Sequence, residues 1–84
     1  MSWTEQNNKL VAEFHFEDFS QAWAFMTEVA MLAERKNHHP EWTNSWNKVS
    51  ISLSTHDAGG VITEKDRKLA DGISKIYERY QNRA

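Results

Sequence analysis

Three of the four histidines in this chain, His38, His39 and His56, fall between the end of one amphipathic segment and the start of another. Glu34 stands four residues before His38, within one helical turn of the pair. This spacing can bring two imidazoles and a carboxylate beside a short loop. Imidazole both accepts and donates a proton near neutrality, because its unperturbed pKa is about 6.5. A neighbouring carboxylate holds one ring tautomer and favours imidazolium. The chemistry on offer is therefore proton transfer. Two plainer readings stand beside it: His38-His39 can cap the carbonyls at a helix end, and three His with one Glu can ligate zinc or iron. The metal reading lacks the helix-borne His spacing of metalloproteases and any HxH pair, so no metal is expected. His15 belongs to no cluster and reads as structural or solvent-facing.

Other chemistries find less support. With no cysteine there is no thiol nucleophile, disulfide scaffold or Cys-ligated metal site. Ser50, Ser52 and Ser54 read as the polar face of a strand, without a GxSxG nucleophile motif. Gly59-Gly60 is an isolated pair with no following Lys-Ser/Thr, so it is no phosphate loop. Trp42 and Trp46 can stack on a flat heterocycle, and can equally be core or interface residues.

The elements that must position these groups follow from periodicity. Leu10, Ala12, Phe14 and Phe16 alternate with Val11, Glu13 and His15, which predicts a half-buried strand. Trp3 to Gln6 can pair with it across Asn7-Asn8, since Asn tolerates the positive φ of a tight turn. From Asp18, a plausible N-cap, the period changes to helical. Phe19, Ala22, Trp23, Met26, Val29, Ala30 and Ala33 make one stripe, expected to face the core. This helix should end near Lys36, with Asn37 able to take a left-handed exit and Pro40 preventing continuation. Trp42 to Trp46 reads as a strand turning at Asn47-Lys48 into another that ends near Ser54, where Val49, Ile51 and Leu53 alternate with polar residues. His56 shares the polar parity. After a DAGG loop, Thr63 begins a second helix with Asp66 at its third position, a capping-box-like pair. Its stripe is Leu69, Ile73, Ile76, Tyr77 and Tyr80, interrupted by Gly72 at a cost of about 1 kcal/mol relative to Ala. The expected fold is α+β in two layers: a four-stranded antiparallel sheet with two helices on one face, in the order β-β-α-β-β-α.

Composition sets the outer bounds. Eighty-four residues form one domain, 1–84, without repeats or linkers. A hydrophobic fraction of 39%, with four Trp and four Phe, suffices for a packed core. The net charge of −2 gives no footprint for nucleic acid or an anionic membrane. The apolar run Val29 to Ala33, which no other run in the chain exceeds, is far short of the roughly 20 residues that span a bilayer, and no apolar signal segment opens the chain. A soluble, cytoplasmic domain is expected, and at this size oligomerisation is a common source of further buried surface.

One further pattern is specific. Glu34, three residues, His38-His39-Pro40, five residues, Trp46, nine residues, His56, nine residues and Asp66 closely resemble the motif of the pterin-4a-carbinolamine dehydratases. The string HHPEWTNSWNKVSISLSTHDAGG is similar to that family too, and the resemblance extends less strongly from about Leu10 through the second helix. It implies dehydration of 4a-hydroxytetrahydropterin to quinonoid dihydropterin and water, in tetrahydropterin recycling, with no metal or other cofactor. By the same resemblance His38 and His56 are the acid/base pair and His39 positions substrate or assists. Glu34 would orient His38 or tune it. Asn37, Ser54 and Thr55 would meet the polar edge of the pterin, and Pro40, Trp42 and Trp46 would help to bind or orient it. Asp66 would face back toward the site from the start of the second helix, a place that also suits a simple helix-start acid. A pterin substrate and a homodimer or homotetramer are implied, with no direct nucleic-acid or membrane binding.

The chain departs from that family in two places. Members commonly carry an extra helix before the first strand, where only Trp3 is found here, and Val61-Ile62 stands where one aliphatic residue is usual. Two alternatives remain from the resemblance: a dimerisation or regulatory interaction module of the same fold, as some relatives are, or a dehydratase-like protein acting on another pterin, such as a molybdopterin-related compound.

Overall fold

Asn7 and Asn8 both adopt positive φ, 52° and 66°, the backbone that closes a two-residue hairpin in the hand of twisted strands. In the computed structural model, which describes residues 3–81, this turn joins β1 (Thr4–Gln6) to β2 (Lys9–His15) in antiparallel register, Glu5 opposite Leu10. The chain continues through α1 (Phe19–Arg35), β3 (Glu41–Ser45), β4 (Lys48–Leu53) and a short 3₁₀ turn (His56–Ala58) to α2 (Glu64–Gln81). The strands form one antiparallel sheet in the order β1-β2-β4-β3. This is the expected two-layer α+β arrangement.

Register decides which side chains meet. Leu10, Ala12 and Phe14 of β2 lie opposite Leu53, Ile51 and Val49 of β4, so one face of the sheet is apolar across its central strands. Both helices cover that face, burying Leu69, Ile73 and Tyr77 of α2 with Ala22, Phe25 and Val29 of α1. Aromatic edges fill the centre: Phe14, Phe16 and Phe25 each pack against Tyr77, with ring centroids 4.9 to 5.9 Å apart. The Tyr77 hydroxyl donates to the His15 carbonyl at 3.0 Å, which satisfies the polar tip of a buried ring. Gly72 has a steric role here. A Cβ at that position would come within 2.6 Å of Leu32 Cδ2, so a larger residue there would make the Leu32 side chain shift.

Asp18 caps α1 as expected, accepting from the Gln21 N–H at 2.9 Å. Two other expectations need correction. The buried face of α1 is Ala22, Phe25, Val29 and Ala33, whereas Phe19, Trp23 and Ala30 of the expected stripe are exposed. The helix is apolar on more than one side, and the side that packs is chosen by α2 and the sheet rather than by the helix alone. The Phe19 and Trp23 rings stack on each other instead, 6.2 Å apart and 18° from parallel. The second correction concerns the β3–β4 turn, which lies one residue earlier than expected. Trp46 is not a strand residue but occupies the turn at φ 49°, with its carbonyl held by the Asn44 amide at 3.2 Å. No helix among the described residues is long and apolar enough to cross a membrane.

Candidate active site

The exit from α1 determines where the first two histidines point. Lys36 is the last near-helical residue and Asn37 turns left-handed at φ 51°. The Asn37 N–H then bonds the Glu34 carbonyl at 3.1 Å and the His38 N–H bonds the Ala33 carbonyl at 3.0 Å. This is the Schellman arrangement, which caps the helix and throws the chain off its axis. His38 and His39 therefore leave the helix on diverging courses. His38 turns inward beneath the start of α2, with its side chain 12% exposed, while His39 stays in solvent.

The third histidine is placed by β4. Its strand ends at Leu53, and Thr55 bridges Val61 across the 3₁₀ turn, with the Thr55 N–H donating to the Val61 carbonyl at 2.9 Å. Gly59 and Gly60 take φ of 89° and 76°, which lets so short a loop return to that bridge. His56 opens the turn and is exposed. Val61 thus serves as the bridge partner, and Ile62 packs against the core.

These segments enclose a pocket of about 470 Å³, lined by Asn37, His38, His39, Pro40, Ser54, Thr55 and His56 among the expected residues. Lys9, Glu41, Ser52, Asp57, Gly60 and Lys65 complete the wall. These additional residues come from five separate stretches of chain, and only the strand register, with Glu41 opposite Ser52, could have pointed to part of the group. Lys9 and Glu41 pair with each other at 3.2 Å on the rim. A larger concavity of about 730 Å³ lies over the open face of the sheet, between Thr4, Val11, Thr43 and Ser50, but no histidine borders it.

Trp42 and Trp46 do not join the histidines. Trp42 packs partly against the core from β3, and Trp46 is 63% exposed in the turn at the opposite end of β3 from Glu41. Neither lines the histidine pocket. The carboxylate assignments also change. Glu34 contacts His39, with 2.8 Å between Oε1 and Nε2, rather than His38. The partner of His38 is Asp66, whose Oδ1 lies 2.5 Å from Nε2.

Asp66 is fully buried and richly bonded. Its Oδ2 accepts from the Thr55 hydroxyl and from the Thr63 N–H, both at 2.8 Å. The second of these is half of the expected capping box, with Thr63 just ahead of α2. Burial by itself raises the pKa of this carboxyl. The His38 hydrogen bond, the Thr63 N–H, the Thr55 hydroxyl and the charge on His38 outweigh it and hold the pKa below the ordinary 3.8. An ionised carboxylate accepts hydrogen bonds and donates none, so Nε2 of His38 carries a hydrogen and Nδ1 is left as the acceptor of the neutral ring. A neutral imidazole fixed in one tautomer can take a proton at Nδ1. Among the described residues no group of three or more His, Asp or Glu is disposed to hold a metal ion.

Comparison with known proteins shows the family. A family model described as pterin 4 alpha carbinolamine dehydratase matches residues 1–76. A protein of Prochlorococcus marinus strain MIT 9515 is 49% identical over 77 residues, covering 92% of this chain and 79% of that one. Another from strain NATL2A is 51% identical over 75 residues, covering 89% and 78%. Both carry the name pterin-4-alpha-carbinolamine dehydratase, which the names themselves mark as unproven. A crystal structure of a transcriptional coactivator/pterin dehydratase from Brucella melitensis superposes with a TM-score of 0.85 at 39% identity, over 89% of this chain and 81% of that one. A pterin dehydratase-like protein identified as a RuBisCO assembly factor in the alpha-carboxysome superposes with a TM-score of 0.78 at 28% identity, over 92% and 90%. Sequence, fold and family match thus converge: the chain belongs to the pterin 4 alpha carbinolamine dehydratase family.

Proposed function

We propose that this protein dehydrates 4a-hydroxytetrahydropterin to quinonoid dihydropterin and water, acting in tetrahydropterin recycling in the cytoplasm. The observation that carries this reading is one pocket bordered by His38, His39 and His56, with His38 backed by a buried carboxylate. The reaction breaks the C4a–O bond, delivers a proton to the departing hydroxyl and removes one from the adjacent ring nitrogen, whose electron pair forms the new C=N bond. One imidazolium and one neutral imidazole balance this transfer near neutrality. His38 and His56 take these two roles, and His39, steadied by Glu34, positions the substrate. The polar pterin edge meets Asn37, Ser54 and the backbone beside Thr55 along the same wall. No metal or other cofactor is needed for such a transfer.

A spectrophotometric assay with synthetic 4a-hydroxytetrahydropterin tests the reading. The protein should accelerate loss of the 4a-hydroxyl. His38→Ala and His56→Ala should each lower kcat/KM by at least about tenfold, a floor set below the roughly 10²-fold or more that general acid–base groups typically contribute. Ordinary turnover in the double variant would defeat the assignment. Pterins with other substituents, including a molybdopterin-related compound, belong in the same assay because the residues assigned above meet the ring and none is assigned to its side chain.

A second reading rests on a different observation. The stacked Phe19 and Trp23, with Met31 further along α1, leave large apolar groups in solvent at 47%, 57% and 60% exposure. Such a face suits a second copy, in a homodimer or homotetramer, or a partner protein in a regulatory or assembly role like those named for two structural relatives. Size-exclusion chromatography of Trp23→Glu against the unaltered chain separates self-association from a monomer. A stable partner protein without pterin turnover would favour the interaction module.

A further inference from the structure

We propose that Thr55 and Thr63 are positioning residues for the catalytic histidine, their hydroxyls forming with Asp66 a one-way relay that fixes the protonated nitrogen of His38. For catalysis the proposal rests on the dehydratase reading, but the relay itself is read from hydrogen counting. Asp66 Oδ2 lies 2.8 Å from Thr55 Oγ1, and Thr55 Oγ1 lies 2.6 Å from Thr63 Oγ1. A hydroxyl has one hydrogen to give. Thr55 gives it to Asp66, so the hydrogen between the two threonines comes from Thr63. Every hydrogen in the chain Thr63, Thr55, Asp66 thus points at the carboxylate, which then has only acceptor oxygen to offer the His38 ring at 2.5 Å. Nε2–H follows, and Nδ1 is the nitrogen available to substrate.

The same hydroxyls tie the two halves of the site together. Thr55 directly precedes His56, and its carbonyl accepts from the Ala58 and Gly60 N–H groups at 3.2 and 3.0 Å, so it anchors the turn that carries that histidine. Thr63 directly precedes α2, whose third residue is Asp66. The Thr55 side chain therefore fastens the His56 turn to the carboxylate beneath His38. At 6% exposure and with its hydroxyl engaged on both sides, Thr55 serves the site from behind rather than through its side chain on the substrate. Burial strengthens the bond between Thr55 and Asp66, where both residues are shielded and water competes little.

Long-range ¹H–¹⁵N spectra of the histidine rings test the relay, recorded at mildly alkaline pH where free imidazole is neutral. His38→Gln identifies the signals. The unaltered protein should show His38 in the Nε2–H form alone. Thr55→Val, which removes the hydroxyl at nearly constant shape, should give a mixture of tautomers. It should also lower kcat about tenfold with KM within about twofold, the scale on which groups supporting a reactive centre act. Thr55→Ser should restore both. A merely structural Thr55 would lower thermal stability and leave the tautomer of the folded protein unchanged, and that result overturns the proposal. If Thr55→Val does not fold, Thr63→Val decides. It should give a smaller admixture of the second tautomer, because the Thr55 hydroxyl loses the donor that holds its direction, and an unaltered spectrum overturns the relay. Nδ1–H in the unaltered protein overturns it without any variant. Absence of turnover in the unaltered protein, with the tautomer responses as expected, overturns the dehydratase reading and leaves the relay standing.

Discussion

His38 and His39 are neighbours in the chain, and each places Nε2 on a carboxylate oxygen, 2.5 Å from Asp66 and 2.8 Å from Glu34. The surroundings of the two pairs are opposite. The His38 and Asp66 side chains are 12% and 0% exposed, those of His39 and Glu34 56% and 80%. Asp66 has two further donors on its other oxygen, and it comes from the start of a different helix, 28 residues away. Glu34 is five residues away, on the helix the histidines have just left. A local exposed pair is held by little more than its own geometry and is screened by water and salt. The buried pair forms only when α2, the Thr55 turn and the α1 exit are all in place. It therefore connects the chemistry to the folding of the domain, and the exposed pair does not.

Asp66→Asn is the strongest way to break this contrast. Thr55 and Thr63 both donate to the same oxygen, so the amide must present its carbonyl to them and its NH₂ to His38. His38 then has to offer an acceptor and becomes Nδ1–H, the wrong form for taking a proton from substrate. Kinetics should show kcat lower by about 10²-fold or more, as a histidine in the wrong tautomer implies. Loss of charge-assisted hydrogen bonds should also lower unfolding free energy near neutrality by about 2 kcal/mol, measured by urea titration. Equal activity and stability in Asp66→Asn would show that the two pairs are alike after all.

The next effect in size is on acid stability. The pKa of Asp66 is lower in the folded protein than its ordinary value of 3.8. The unfolded chain therefore binds more protons than the native one in the window below that value. The contribution of Asp66 is complete above about 4 and is lost as pH falls through the lower native pKa. Urea titrations at a series of pH values should show the gap between the unaltered protein and Asp66→Asn narrowing as pH drops below 3.8. A gap that stayed constant down to acid unfolding would mean that the carboxylate form of Asp66 is not favoured by the fold.

What could be read from the sequence follows the same division between local and distant contacts. The Asn7-Asn8 hairpin, the Asp18 cap and the left-handed exit at Asn37 were legible, because each is set by residues within a few positions. So was the gathering of His38, His39 and His56, which the resemblance made specific and the strand order completes. The partner of His38 was not. Glu34 has the i to i+4 spacing that faces His38 on a continuing helix, but the helix stops at Arg35 and the Schellman exit passes that contact to His39. The buried face of α1 was missed for a related reason. Phe19, Trp23 and Phe25 are all large and apolar, and only the packing of α2 and the sheet shows that Phe25 is the buried one. Trp46 reads as a strand residue by type, yet its positive φ follows from how β3 and β4 register.

Glu34→Gln gives the smallest effect and sharpens the comparison from its other side. The glutamine carbonyl can still accept from His39 Nε2, so the hydrogen bond survives and only the charge is lost. Because Glu34 is 80% exposed, that charge acts through water and is worth at most about 1 kcal/mol. Unfolding free energy should change by less than about 0.5 kcal/mol, the usual range for a surface substitution. In the dehydratase assay kcat/KM should fall no more than about threefold, mainly through KM, since His39 is placed to hold substrate rather than to exchange its proton. A loss in kcat comparable to that of Asp66→Asn would move the essential carboxylate from beneath His38 to the solvent-facing side of the pocket.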